Sequence, residues 1–413
     1  QIDVHDPVPR PASLGLDRAL EQLLRGGDGL RLVGVLAPGA VEHHGDEEDR
    51  KEDTHRHGCP FYGRRVDPRA WRAGRRVRLR LRRGSGTIPA LSTTKSLFSS
   101  VDLGGGLRLH HHKTRSFKTI TARLALQGNL DESAAARALV PRVLARGTER
   151  LPSLRAVQIE LDRLYGASLS GDARKIGDRH LVQFRAEWVV DRLAGEPLLE
   201  KVGDLVGEVL HRPARGDDGR LRDGIVAQER KNLADEVAAI YDDKGRYAMK
   251  RLVEEMCRHE PFARAATGHL EEIRRVTTDD VTREWRRIVE RSPADLFVVG
   301  DLTLAEARRF ARRFGLHERT GLSRVRKTTR RPAGRTRTVR EPGEQQQAHL
   351  CMGFRVPVRK GLDHYATLIL LNALFGGTTV GKLFKEVRER HSLCYAIHSM
   401  ADQAKGLLLV HAG

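Results

Sequence analysis

Residues 137–167 read RALVPRVLARGTERLPSLRAVQIELDRLYGA. The pattern predicts an apolar helix, a Gly147-Thr148 turn, a second helix burying Leu154, Val157, Leu161 and Leu164, and a Tyr165 leading into a strand. Ser153 is placed to cap the second helix, and Gly166 lies where a left-handed residue is wanted at its end. The same layout returns 230 residues later, where Leu144 falls on Leu374, Gly147 on Gly377, Thr148 on Thr378, Val157 on Val387 and Tyr165 on Tyr395. The preceding strand repeats too, with Ile120, Ala122, Leu124 and Leu126 falling on Leu350, Met352, Phe354 and Val356. A strand, two helices and a turn held in one register predict a duplicated unit.

The whole chain allows such a reading. Its 413 residues suffice for two or three domains with real cores. A hydrophobic fraction of 39% and a charged fraction of 31% are those of a globular protein. The longest apolar run, around Ala366–Phe375, is too short to span a bilayer, and no signal-peptide layout opens the chain. Membrane partners are therefore not expected. Cys59, Cys257, Cys351 and Cys394 lie far apart without a C-x-x-C, which suits a reducing cytoplasm. The formal charge of +20 favours anionic partners. Arginine concentrates at Arg64–Arg83 and Arg324–Arg340, but no aromatics interleave with these runs, so nucleic-acid binding is not expected as the main function.

Four regions are expected. Residues 1–85 read as a poorly ordered extension. Within it Asp17–Leu24 suits a short helix, Glu42–His57 is a solvated acid- and histidine-rich linker, and Arg75–Arg83 is an edge strand or basic arm. Residues 86–315 form the first α+β unit. In it Leu107–His112 and Lys118–Gln127 read as two strands joined by a polar turn, His180–Trp188 as a strongly alternating strand, and Thr277 and Thr303 as helix caps. His110, His111 and His112 alternate faces on a strand, so only His110 and His112 share one, and a plain exposed strand end is the expected reading. Residues 316–340 are a basic linker, with eight Lys or Arg in Arg324–Arg340 and no acid. Residues 341–413 open the second unit: strand Ala348–Val356, helix Asp363–Phe375, a turn, helix Lys382–Arg390, then strands Leu393–Ser399 and Gly406–His411. This second unit reads as truncated.

Few local motifs carry chemistry. Gly376-x-x-x-x-Gly381-Lys382 imitates a phosphate-binding loop, but Leu383 stands where Ser or Thr should hold magnesium, and a helix precedes it instead of a strand. No H-x-x-E-H, H-E-x-x-H or G-x-S-x-G occurs.

The order of elements from Val101 to Gly413 resembles the insulinase/pitrilysin-type peptidases, the inverzincins, whose repeated α+β units close around a peptide. RGTERLPS is similar to the segment after that family's zinc motif, YDDKGRYAMKRLVEEMCRHEPFARAATGHLEEIRRVTTDD to later helices of its first unit, and LILLNALFGGTTVGKLFKEVRERHSLCYAIHS to the opening of its second. The resemblance implies duplicated units of antiparallel sheet covered by helices. It also locates the zinc motif, whose five positions fall on Ala138, Leu139, Val140, Pro141 and Arg142. Ala138 cannot coordinate, Pro141 replaces the general-base carboxylate, and Arg142 carries a fixed positive charge. The family's third ligand would fall on Glu229, a vestige expected to be an ordinary helix-surface or hydrogen-bonding residue, since catalytic zinc needs about three protein ligands. The family's peptide-holding Arg and Tyr match Arg388 and Tyr395. Bacterial members of this kind resemble a non-catalytic partner encoded beside a zinc-bearing homologue, some with names linked to the 5-aminopentanol modification of elongation factor P. The resemblance therefore implies a catalytically silent subunit without a cofactor, which holds peptide in a heterodimer with a zinc-bearing homologue. Two other readings remain open at this level. One is an autonomous zinc metalloendopeptidase with Glu229 and histidines such as His110 or His180 as ligands. The other is a basic scaffold with no peptide role.

Overall fold

Strand β4 (Thr119–Asn129) is the centre of the first sheet, because its alternation puts Ile120, Ala122, Leu124 and Leu126 on one face, all at most 3% exposed. The computed structural model describes residues 32–37, 97–332, 334–342, 347–356 and 362–413, which belong to one unit. The expectations for Asp17–Leu24, Glu42–His57 and Arg75–Arg83 lie outside the described residues.

The first sheet has the order β2-β3-β7-β4-β6-β5, from β2 (Ser99–Asp102), β3 (Leu107–Lys113), β5 (Ser168–Ile176), β6 (Arg179–Val189) and β7 (Ala294–Gly300). β3 and β4 are the two strands expected on either side of a polar turn, and although consecutive in the chain they do not pair. β7 separates them, parallel to β3 and antiparallel to β4. Its uncharged stretch Leu296–Val299 suits a place inside the sheet better than the charged Lys113–Lys118 segment suits a tight hairpin turn.

Helices cover one face of this sheet. α1 (Ala134–Leu144) lies on β5 and β6, α3 (Leu198–His211) on β6, α7 (Thr278–Arg291) on β4, and α8 (Leu304–Arg312) on β3. α2 (Leu154–Arg163) starts at Ser153, whose hydroxyl accepts from the Ala156 amide. α7 and α8 start with reciprocal capping pairs, Thr277 with Asp280 and Thr303 with Glu306. Trp188 packs against Phe310 with ring centroids 5.1 Å apart, and Trp285 donates to the Leu210 carbonyl at 2.8 Å. α1 also holds Arg137, 1% exposed, which reaches Glu284, Asp131, the Asn129 carbonyl and His180.

The second sheet runs β10-β11-β9-β1-β8, from β1 (Leu32–Ala37), β8 (Arg337–Arg340), β9 (His349–Arg355), β10 (Ile397–Asp402) and β11 (Leu407–Ala412). Two stretches depart from the expected boundaries. Leu32–Ala37, inside the expected extension, is a strand, and so is Arg337–Arg340, inside the expected linker. In β8 Arg337 and Val339 are half-buried, with Arg337 paired to Glu255, while Thr338 and Arg340 are exposed, the pattern of an edge strand.

One face of this sheet packs Leu350, Met352, Phe354, Leu408 and Val410 against Leu383 and Val387. The other is covered by a helix of the first unit, α5 (Lys244–Met256), which follows α4 (Asp223–Asp242). Ala248 and Leu252 of α5 meet Cys351, Leu407 and Leu409. Helix α6 (Leu270–Arg275) precedes α7 and packs on α4. The helical layer of the second unit is α9 (Leu362–Asn372), continued by a π-helical turn at Ala373–Gly377, and, after a turn, a separate π-helical segment at Phe384–Arg390. Lys405, fully enclosed, joins the β10–β11 turn to the β5–β6 turn. Its Nζ lies 2.9 Å from Asp178 and 2.5 Å from Glu260, and Arg355 also pairs with Glu260.

Candidate functional site

α1 brings Ala138, Pro141 and Arg142 onto β5 at very close range. A Cβ at Gly171 would sit 2.5 Å from the Pro141 carbonyl oxygen, so this strand position has room only for glycine. Ala138 is 1% exposed and offers no donor. Arg142 forks onto Glu236 of α4, its two terminal nitrogens 2.7 and 2.6 Å from the carboxylate oxygens. That hydrogen bond raises the Arg142 pKa above its usual value against the opposing effect of burial, and the charge of Glu229 adds to the rise.

Of the two roles expected for Glu229, helix-surface or hydrogen-bonding residue, the structure has the second. Glu229 is 3% exposed, ion-paired with Arg146 and accepting from Asn232 at 3.1 Å. A carboxylate this deep needs a compensating cation. Arg146, one turn beyond Arg142 on the same chain direction, supplies it. Arg146 and Glu236 were not read from the sequence as site residues. The available signal was spacing: Arg142 and Arg146 are four apart and Glu229 and Glu236 seven apart, which aligns each pair on a helix face.

These residues do not fit zinc. Ala138 and Arg142, which the resemblance sets against the family's two histidines, offer no ligand, and the Glu229 carboxylate is engaged by a guanidinium. The other histidines considered are held elsewhere. His110 has Nδ1 2.8 Å from Ser100 and Nε2 3.0 Å from Asp295, and it stacks on Phe297. It is thus half-buried and partnered, not a plain exposed strand end. His180 is fully buried, with Nδ1 3.3 Å from Arg137; burial first, then the Arg137 charge, pushes its pKa down to about 3. Among the described residues no three His, Cys, Asp or Glu side chains converge on a metal-sized site.

Arg388 and Tyr395 are brought together. Arg388 lies on the π-helical turn, with its guanidinium carbon 4.6 Å from the centre of the Phe384 ring and 5.7 Å from that of Tyr395. The chain reverses at Ser392, which has φ of 48°, and the Tyr395 amide then donates to the Gly413 carbonyl at 2.9 Å. Tyr395 is 80% exposed. Arg388 is half-buried, and among the described residues no ion pair engages its guanidinium. Gly376–Lys382 follows a helical turn and is closed by the Gly381 amide on the Thr378 carbonyl, so it lacks the strand that a phosphate loop requires.

Two sheets, each covered by helices, with no metal-sized cluster of side chains among the described residues, define the class of fold. Known proteins agree. The profile of the peptidase M16 inactive domain matches residues 275–413. Over 312 residues the chain is 33% identical to "Probable inactive metalloprotease YmfF" of Bacillus subtilis, which covers 75% of this chain and 73% of that protein. The chain belongs to the M16, or insulinase/pitrilysin-type, peptidase family, as an inactive metalloprotease homologue. Two solved structures share its fold: a conserved protein from Enterococcus faecalis V583 (TM-score 0.66, 23% identity, 77% of this chain and 75% of that one) and a peptidase M16 inactive domain from Pseudomonas fluorescens (TM-score 0.60, 18% identity, 76% and 74%). Among the described residues no helix is long and apolar enough to cross a membrane.

Proposed function

We propose that this chain is a peptide-holding or regulatory subunit that works beside a zinc-bearing M16 homologue, with that partner supplying the metal chemistry. One contrast carries the reading: ion pairs hold Arg142 and Arg146, while the half-buried Arg388 has no ion partner among the described residues and lies beside the exposed Tyr395. A guanidinium edge and a phenol can both donate to a peptide carbonyl or a developing oxyanion. The unpaired thiols of Cys257, Cys351 and Cys394 support a reducing, cytoplasmic setting.

The test combines metal content with cleavage. The purified chain alone should hold less than about a tenth of an equivalent of zinc and cleave no peptide. Mixed with its zinc-bearing homologue, it should raise cleavage, and Arg388→Ala with Tyr395→Phe should lower kcat/KM of the mixture about 100-fold. A full equivalent of zinc with cleavage by the chain alone would overturn the reading. An unchanged mixture with the double variant would remove the peptide-holding role and leave a scaffold.

A further inference from the structure

His110 is the middle of a hydrogen-bonded chain on the face of the first sheet that the helices leave uncovered. β2 and β3 pair so that Ser100 stands directly opposite His110, and opposed residues share a face. Leu107 and Leu109, which alternate with His110 on β3, fill the helix-covered face. The Ser100 hydroxyl lies 2.8 Å from Nδ1 of His110, and Asp295 of β7 lies 3.0 Å from Nε2. A carboxylate only accepts, so in the neutral ring Nε2 carries the proton and the bare Nδ1 accepts from the Ser100 hydroxyl. Asp295 is held in turn. Its other oxygen accepts from the Gln127 side-chain nitrogen, and the Gln127 side-chain oxygen accepts from Arg179 at 3.2 Å. Phe297 stacks on the imidazole with ring centroids 4.5 Å apart, which fixes the ring plane. Ser100 is exposed, while the side chains of His110 and Asp295 are 16% and 25% exposed.

We propose that Ser100, His110 and Asp295 form a metal-independent hydrolytic site for esters of apolar acyl groups, with Ser100 as nucleophile, His110 as its base and Asp295 orienting the base. The two imidazole nitrogens exchange the places they have in the usual serine triad, but each can donate or accept, so the roles are unchanged. Ser100 Oγ bonds to the ester carbonyl carbon as its proton passes to His110 Nδ1. The carbon–oxygen bond to the leaving group then breaks, and the departing oxygen takes that proton and leaves as an alcohol. Water repeats the sequence on acyl-Ser100 and yields the carboxylic acid and the free hydroxyl. A backbone amide is placed for the oxyanion. Leu103 donates to the Leu107 carbonyl at 2.9 Å, so the alternation of the antiparallel ladder turns the Val101 and Ser99 amides toward β3 and the Ser100 amide toward the sheet edge. Among the described residues β2 pairs with β3 alone, which leaves that amide to meet developing charge. From Asp295 a groove of about 530 Å³ runs over the uncovered face, where Phe297, Val299, Leu181, Ile176 and Ala125 offer an apolar bed for the acyl group. The site shares no residue with Arg388 and Tyr395 and does not depend on the proposed function.

A fluorophosphonate probe and p-nitrophenyl butyrate test this on the purified whole chain in the presence of a metal chelator. Peptide mapping should find the probe on Ser100 in more than about half of the molecules. Ser100→Ala should remove that adduct and lower butyrate hydrolysis about 100-fold or more, and His110→Gln should slow labelling of Ser100 by a similar factor with the circular dichroism spectrum unchanged. Ser99→Ala alters the neighbouring residue, which points to the other sheet face, and should change neither readout. Asp295→Asn should lower kcat about tenfold or more with KM little changed, the mark of a residue that acts through the base. No adduct at Ser100 in the unaltered chain would overturn the proposal, and so would hydrolysis by Ser100→Ala at the unaltered rate or hydrolysis abolished by the chelator. Labelling of His110→Gln at the unaltered rate, or an unchanged kcat in Asp295→Asn, would overturn the three-residue assignment.

Discussion

Helices α1 and α9 carry the same register of the repeat and end in opposite environments. Ten of the eleven residues of α1 are buried. Leu144 is 0% exposed, while its counterpart Leu374 is 64% exposed, beside Leu370 at 60%. What differs is the next layer. α4, α6 and α7 lie over α1, whereas α9 touches chiefly β10 and its own π-helical extension. The same division separates the two sites. The first unit pairs Arg142 and Arg146 with carboxylates, while the second leaves the half-buried Arg388 without an ion partner among the described residues, beside the exposed Tyr395. A repeated pattern prescribes an element and its amphipathic face, but burial needs a third element to arrive.

The strongest way to strain this contrast is to remove a cation from the sealed unit. Arg137→Ala leaves Glu284, 3% exposed, without its buried partner and should cost about 3–5 kcal/mol in chemical denaturation. Next comes the direct comparison within the repeat. Leu144→Ala should cost about 2–5 kcal/mol through a core cavity, and Leu374→Ala should stay within about 0.5 kcal/mol. Equal losses would mean that α9 is covered after all.

A smaller effect is the pH dependence of His180. Its folded pKa of about 3 lies below the ordinary 6.5, so between these values the unfolded chain binds the extra proton. Its contribution is fully present above about pH 6.5 and is lost progressively as pH falls toward 3. His180→Phe should flatten that acid limb in a series of melting curves. The smallest effect belongs to Arg142→Ala. The pair is partly exposed, with Arg142 at 26% and Glu236 at 57%, so its loss should change stability by about 0–1 kcal/mol and leave metal content unchanged.

Much of this was legible from local pattern. The alternation of β4, the Ser153 cap and the turn at Gly147 identify their elements because each depends on neighbours within a few residues. The departures lie where partners are distant. The placing of β7 between β3 and β4 and the pairing of Glu229 with Arg146 join residues far apart in sequence, and no local periodicity encodes them. The π-helical turn at Phe384–Arg390 differs from an α-helix only in which carbonyl each amide selects, and the sequence spacing fits both.

By itself the sequence determined the duplicated α+β unit, through the 230-residue repeat of short-range pattern. Ala138, Pro141 and Arg142 as lost ligand positions, and Arg388 with Tyr395 as the candidate pair, are what its resemblance to the family implies. Only the tertiary structure decided that Glu229 is buried against a guanidinium, that His110 and His180 are engaged elsewhere, and that Leu32–Ala37 stands between β8 and β9 in the second sheet. Backbone pairing and charge neutralisation are satisfied by whichever group reaches the right place, and that is fixed by the folded chain as a whole.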